Sequence, residues 1–325
     1  MRETVLVTGG AGFIGSHVVD RLVNSDYGVR VIDNLSTGNL SNIENHIDSG
    51  RVDFVKGDIR DAQFVKNCVR NVSAVVHLAA ITSVPFSVEN PDLTYDTNVA
   101  GTVNLLISCA EQKVGKFVFI SSCAVYGEPT YLPVDEKHLT EPISPYAESK
   151  LAAERFCLGF HEKLLLKSVV LRLFNVYGPR QGINDYSGVL TRFIDRGKQG
   201  LPLVVYGDGS QTRDFVNVCD VVEAVLSAME NKVAEGEVFN IGFGKAISIR
   251  DLAEAVSELA GLNLEIIYEN PRLGDIKHSY AAISKAEKLL GYRPKVSLRD
   301  GLRTLLAENL LSENKVLSEN DKIEA

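Results

Sequence analysis

Residues 144–156, SPYAESKLAAERF, place Tyr146 and Lys150 four apart at the front of a stretch with helical patterning. Four residues is about one helical turn, so the two side chains share a face. A free phenol titrates near pH ~10, so only about one in a thousand is ionised at neutral pH. A usable base near pH 7 needs a shift of about three units, roughly 4 kcal/mol, and a neighbouring cation acts in that direction. The pair is therefore a candidate acid/base, with an ordinary exposed helix pair as the alternative.

A second chemical signal lies at the N-terminus. VLVTGGAGFIGSH puts Gly9, Gly12 and Gly15 between an apolar run and a helical pattern. Glycines there permit a tight turn and let backbone N–H groups approach a pyrophosphate at a helix N-terminus. The spacing is Gly-x-x-Gly-x-x-Gly, so it departs from the common dinucleotide fingerprint. Asp33 ends the next apolar run, VRVID, where a carboxylate can accept from a ribose diol and would repel a 2′-phosphate. That favours NAD over NADP. Asp58 follows the third run, at the place of an adenine edge or as a helix cap. His77, before Leu78, Ala79 and Ala80, reads better as a core histidine than as a catalyst.

The elements that must position these residues follow from the alternation of apolar runs and helical patterns. ETVLVTG, VRVID, VDFVKGD, SAVVHLA, KFVFISS and SVVLRLF read as strands apolar on both faces, and the segments between them as helices, one spanning about 93 to 112. This predicts an α/β, Rossmann-type doubly wound parallel sheet over residues 1–172. A smaller α+β substrate-binding domain is expected over 173–312, with about 213–242 returning to the first domain, and a polar tail over 313–325. Ser248, with Asp251 three residues on and Gly261 behind, marks a capped helix.

The 325 residues carry a formal net charge of -8, which argues against general nucleic-acid or anionic-membrane binding. No apolar run approaches the ~18 residues of a membrane span. The five cysteines and six histidines are scattered without ligand spacing. A cytoplasmic protein with no metal is expected.

The motifs together resemble the extended short-chain dehydrogenase/reductases: TGGAGFIG, DNLSTG, HLAA, ISSCAVYG, PYAESK, LRLFNVYGPRQ, YGDGSQTRDFV, RLGDIKHS and LLGYRPK, in order along nearly the whole chain. Within that family the chain is most similar to the UDP-hexose 4-epimerases. The resemblance implies Ser122, Tyr146 and Lys150 as catalytic residues. Tyr146, lowered by Lys150 and oxidised nicotinamide, would take the proton of the sugar 4-hydroxyl while C4 yields its hydride to NAD. The 4-keto sugar would then turn over and be reduced on its other face, which leaves NAD bound.

For NAD the resemblance implies Phe13 and Ile14 beside Gly9, Gly12 and Gly15. It adds Asn34, Ser36, Thr37 and Gly38 after Asp33, and Ile59 after Asp58. Leu78, Ala79, Ala80 and Thr82 follow, with Asn98, Ser122, Tyr146, Lys150 and Phe174 around the nicotinamide half. For the UDP-sugar it implies Ser83, Ser122, Tyr146, Asn175 and Val189, then Val204 and Tyr206 along uracil. Arg213 and Arg272 would hold the diphosphate and Asp275 a ribose hydroxyl. Ser279, four residues after the Asp of Arg-x-Gly-Asp, would lie beside the sugar C2 substituent; members with tyrosine there exclude an N-acetyl group.

Nucleotide-sugar dehydratases of the family carry an Asp-Glu pair after the strand-five Ser/Thr, and decarboxylases a glutamate. This chain has Cys123 and Ala124 there. Leu173 departs from the tyrosine of many epimerases. The expectation is thus an NAD-dependent epimerase of UDP-glucose/galactose and their N-acetyl counterparts, working as a homodimer. UDP-glucuronate or another nucleotide sugar is the alternative substrate, and a non-catalytic NAD-binding regulator the alternative class.

Overall fold

A computed structural model describes residues 2–164, 166–182, 188–271 and 274–307. The tail expected over 313–325 lies outside them. The chain opens with β1 (Thr4–Thr8), α1 (Phe13–Asn24), β2 (Gly28–Asp33), α2 (Glu44–Asp48), β3 (Val52–Lys56), α3 (Ala62–Cys68) and β4 (Ala74–His77). Then come α4 (Val84–Glu89), α5 (Pro91–Tyr95), α6 (Gly101–Glu111), β5 (Lys116–Ser122), α7 (Pro145–Leu164) and β6 (Ser168–Leu173). The stretch read as one helix over 93 to 112 is interrupted: a π-helical turn, Asp96–Ala100, separates α5 from α6. That turn aims Asn98 inward, where it is 1 % exposed.

Beyond β6 the elements are shorter. They are β7 (Asn175–Tyr177), α8 (Val189–Lys198), β8 (Leu203–Tyr206), β9 (Thr212–Arg213), β10 (Phe215–Asn217), α9 (Val218–Glu230) and β11 (Val238–Ile241). Then follow β12 (Ile247–Ser248), α10 (Ile249–Leu259), β13 (Ile266–Glu269) and α11 (Ser284–Leu290), and residues 298–307 are helical as well. Ser248 caps α10 by accepting from the Asp251 N–H at 3.0 Å, and Gly261 follows with φ +67°.

Among the described residues the main sheet has seven strands in the order β11-β6-β5-β4-β1-β2-β3. All its pairings are parallel. Alternate residues of each strand face opposite ways. Val5 and Val7 join Val31, Val76, Val118 and Val169 in one buried cluster, closed by α1 and α9. Leu6 joins Ile32, Val75, Phe117 and Phe119 in the other, closed by α3, α6 and α7. Apolar residues on both faces of the strands therefore give a sheet covered on both sides, each large side chain contributing about 1.5–3 kcal/mol. A third cluster unites α8, α10 and β8 through Phe193, Leu252 and Leu203 in the smaller α+β part.

No helix among the described residues is long and apolar enough to cross a membrane. No group of three His, Cys, Asp or Glu side chains among them is placed to hold a metal ion.

Candidate active site

Parallel strands end at one edge of the sheet, and ligands of such sheets lie beyond those ends. Gly9 leaves β1 with φ +71°, and a Cβ there would stand 2.8 Å from the Ala79 nitrogen after β4. Gly15 lies on α1 where a Cβ would stand 2.1 Å from the Gly9 carbonyl oxygen, so only glycine lets the helix cross the strand end. Gly12 is the N-cap of α1, without a side-chain cap or an acid in the first turn. The Phe13 and Ile14 N–H groups thus open α1 facing outward, an arrangement suited to an anion.

The Asp33 carboxylate accepts from the Ala11 N–H at 3.0 Å and the Leu35 N–H at 2.8 Å. These bonds fix it at the glycine loop with lone pairs to spare for a diol. Gly38 passes so close that a Cβ would sit 2.9 Å from the carboxylate. Asn34, Ser36 and Thr37 form an exposed loop there. The Arg60 guanidinium pulls Asp58 down to about 2, and Asn34 also donates to it. The cap of α3 is Asp61, not Asp58. Ile59 sends its side chain into the core. These residues fit a bound dinucleotide.

The catalytic candidates converge beside the ends of β4 and β5. Ser122 ends β5, and Tyr146 and Lys150 stand one turn apart on α7, 9 % and 4 % exposed. Tyr146 lies beside Ser122, whose Oγ accepts the Ala124 N–H at 3.2 Å. Lys150 Nζ donates to the Ile120 carbonyl at 2.8 Å and lies 4.8 Å from the Phe119 ring centroid. The expected lowering of Tyr146 calls for Lys150 together with oxidised nicotinamide, and in the protein alone burial dominates. Burial pushes Tyr146 up to about 12 against the Ser122 hydrogen bond, and burial pushes Lys150 down to about 8.

Asn98 accepts from the Ile81 N–H at 2.8 Å and donates to the Ile81 carbonyl and to Ser149 Oγ, both at 2.9 Å. It thereby ties the segment after β4, where Leu78, Ala79, Ala80 and Thr82 lie, to the helix turn below Lys150. Ser83 caps α4, its Oγ accepting the Phe86 N–H. His77 bridges Thr8 and Thr102 and is pushed down to about 3 by burial, so it is a neutral core residue.

The substrate candidates lie across this edge. Phe174 is buried after β6, and Asn175 begins β7. Arg213, on β9, donates to Asp275 in a close ion pair. The Ser279 N–H donates to the Thr212 carbonyl at 3.1 Å, which seats Ser279 beside Arg213 at 8 % exposure. Ser279 therefore neither faces solvent nor caps α11, whose cap is Ile283. Val204 and Tyr206 lie on β8, and Val189 opens α8, packed partly into its core. Arg272 lies outside the described residues.

Asp214, unmarked in the sequence, organises this side. Its carboxylate accepts from the Phe243, Gly244 and Ala281 N–H groups at 2.7, 2.9 and 3.0 Å. Burial still pushes it up to about 6. Its position between Arg213 and Phe215 was the one available signal.

A family model described as "NAD dependent epimerase/dehydratase family" matches residues 5–242. A Methanocaldococcus jannaschii protein assigned provisionally as a UDP-glucose 4-epimerase is 42% identical over 304 residues, covering 93% of this chain and 97% of that one. The crystal structure of UDP-glucose 4-epimerase with UDP-glucose from Thermotoga maritima superposes with TM-score 0.90 at 39% identity, over 95% of this chain and 99% of the other. UDP-N-acetylglucosamine 4-epimerase from Methanobrevibacter ruminantium, in complex with UDP-N-acetylmuramic acid, also reaches 0.90, at 37% identity over 96% and 100% of the two chains.

Proposed function

Because the chain belongs to the NAD-dependent epimerase/dehydratase family, we propose that it interconverts the 4-epimers of UDP-hexoses, using NAD. The observation that carries this reading is the acid/base set itself. Ser122 at the end of β5 faces Tyr146 of α7 closely enough to bias its titration, and the two residues after Ser122 are Cys123 and Ala124. Elimination of water or loss of carbon dioxide calls for a further carboxyl group there. Burial pushes the Cys123 thiol up to about 12, so it is no substitute.

NAD would be held by the glycine loop, the α1 N-terminus and Asp33, and supplies reversible oxidation at the sugar C4. The chain's own residues do the rest. Tyr146 Oη takes the proton from the 4-hydroxyl and returns it after the 4-keto sugar has turned. Ser122 Oγ bridges Tyr146 and the sugar oxygen, and Lys150 provides positive charge beneath them. Arg213 takes the diphosphate, since a guanidinium fork pairs with its oxygens. The small Ser279 leaves room for an acetamido group at C2, which extends the substrates to UDP-GlcNAc and UDP-GalNAc.

The test is incubation of purified protein with a panel of UDP-sugars without added NAD, followed by separation of epimers. Conversion of UDP-glucose to UDP-galactose is expected. Exclusive conversion to a 4-keto-6-deoxy sugar, or to a pentose, would replace this reading by a dehydratase or decarboxylase.

A further inference from the structure

Below Tyr146 and Lys150 on α7 stands a third buried polar residue. Glu154 is four residues beyond Lys150 and 1 % exposed. The column Tyr146–Lys150–Glu154 therefore runs down the face of α7 that packs on the sheet. A buried carboxylate is costly unless it is paired and its lone pairs are used. Glu154 meets that requirement. Its Oε1 accepts from Ser121 Oγ at 2.5 Å and from Arg172 Nε at 3.0 Å, and its Oε2 accepts from Arg172 Nη2 at 2.7 Å. Arg172 is 6 % exposed, lies opposite Ser121 in the β5–β6 pairing, and donates through Nη1 to Tyr126 Oη at 2.9 Å. Tyr126 donates on to Asn240 of β11 at 2.7 Å.

Two features tie this network to the reaction. The first is register. Lys150 bonds the Ile120 carbonyl and Glu154 bonds Ser121, so α7 grips two successive residues of β5, and the next residue is Ser122. The short helical turn Cys123–Tyr126 follows at once, and its end is held by Arg172. Ser122 is thus fixed from both sides by groups that Glu154 seats. The second feature is charge. The groups around Lys150 are Cys157 of α7 with Tyr146 one turn before it, His77 of β4 and the Phe119 ring of β5. Burial keeps Tyr146 a phenol, Cys157 a thiol and His77 a neutral ring at pH 7. Glu154 is the acidic side chain that faces the lysine, and it opposes the effect of burial there.

We propose that Glu154 is a positioning residue for the reaction: seated by Arg172 and Ser121, it holds the end of β5 in register with α7 and supplies the negative charge that faces Lys150. It touches no substrate atom and acts through Ser122 and Lys150. The inference rests on the epimerase reading given above.

The experiment compares kcat and KM from pH 5.5 to 9.5 for wild type, Glu154→Gln and Glu154→Asp, with the Lys150 ammonium of each followed by 15N NMR. Loss of an opposite charge that faces a buried cation moves its pKa by about one unit or more. In Glu154→Gln the alkaline limb of kcat and the Lys150 titration should both fall by about one unit. With the limb moved from about 8 to about 7, kcat at pH 8 drops roughly fivefold more than at pH 6. KM should be little changed. Glu154→Asp keeps the charge but shortens the reach, so kcat should fall evenly across pH with the limb in place. If Glu154→Gln does not fold, Glu154→Gln/Arg172→Met replaces it, since removal of both charges spares the core an unpaired ion. Its limb should still lie below that of wild type. A folded variant without the carboxylate whose limb and Lys150 titration match wild type overturns the proposal. A wild type that converts no UDP-hexose refutes the reaction instead, and the Lys150 titration then still decides the role of Glu154.

Discussion

Replacement of Tyr146 by phenylalanine separates the reaction from everything else the site does. Burial pushes Tyr146 up to about 12 in the protein alone, which leaves about one molecule in 10⁵ as phenolate at pH 7. Bringing it to neutrality requires about five units, or roughly 7 kcal/mol. Lys150 is already in place in that protein, so the lowering has to come with what binds, and a nicotinamide cation within ~4–6 Å would supply about one to three units of it. The tyrosine is therefore activated on assembly of the complex, and its oxygen cannot be replaced by water in so enclosed a place. Loss of a positioned acid/base typically costs about 10²–10⁴-fold in rate, equivalent to about 2.7–5.4 kcal/mol. The fold should not suffer. Ser122 Oγ keeps the Ala124 N–H, and the Tyr146 backbone N–H keeps Ser87 Oγ at 3.1 Å. No buried donor is orphaned, and the lost hydrogen bond is worth about 1 kcal/mol. Tyr146→Phe should thus lose at least about a hundredfold in kcat with Tm lowered by a few °C at most. NAD content, read by absorbance after denaturation, should be unchanged. Turnover within threefold of wild type in a folded, NAD-loaded variant would refute the assignment.

Asp33 predicts cofactor choice: stripped protein should bind NAD roughly a hundredfold tighter than NADP, since a 2′-phosphate would meet a carboxylate at close range; equal affinities by calorimetry would rule this out. Ser279→Tyr should abolish turnover of UDP-GlcNAc while sparing UDP-glucose, because a ring fills the space beside C2. If the variant handles both sugars like wild type, Ser279 is not the wall of that pocket. The outer faces of α6 and α7 leave Ile107 and Phe156 exposed at 45% and 44%. Light scattering at micromolar concentration should accordingly give the mass of a dimer, and a monomer there would count against helix-to-helix pairing of subunits.

What the sequence conveyed of this arrangement was what local pattern can carry. The strands of the main sheet were visible because a parallel strand covered on both sides must be apolar along its length, as VLV, AVV and FVFI are. The glycine loop and the Tyr146/Lys150 pair were visible because each is a contiguous motif. The contributions of Glu154, Arg172 and Asp214 were not. Each is polar in an unremarkable sequence setting, and its partners lie 18 residues away for Glu154 and Arg172, or 67 for Asp214 and Ala281. The π-helical turn left no periodic signature, since one altered turn inside a helical pattern shifts the phase too little. The burial that pushes Tyr146 up was hidden for the same reason: spacing shows the lysine nearby, while burial is a property of the whole fold.

The place of β11 in the sheet has a consequence for how the protein is made. β6 pairs with β5 on one side and on the other with β11, which the ribosome reaches only after the first 237 residues. Until then β6, apolar on both faces as SVVLRL, stands as an open edge, with Val170 and Leu171 lacking their partners Val238 and Phe239. An open apolar edge is a template for pairing with other chains. The nascent half-sheet must therefore wait for, or be shielded until, a strand that emerges after most of the smaller lobe's first elements. Fragments ending before Val238 should aggregate on expression, while those extending past Ile241 complete the sheet.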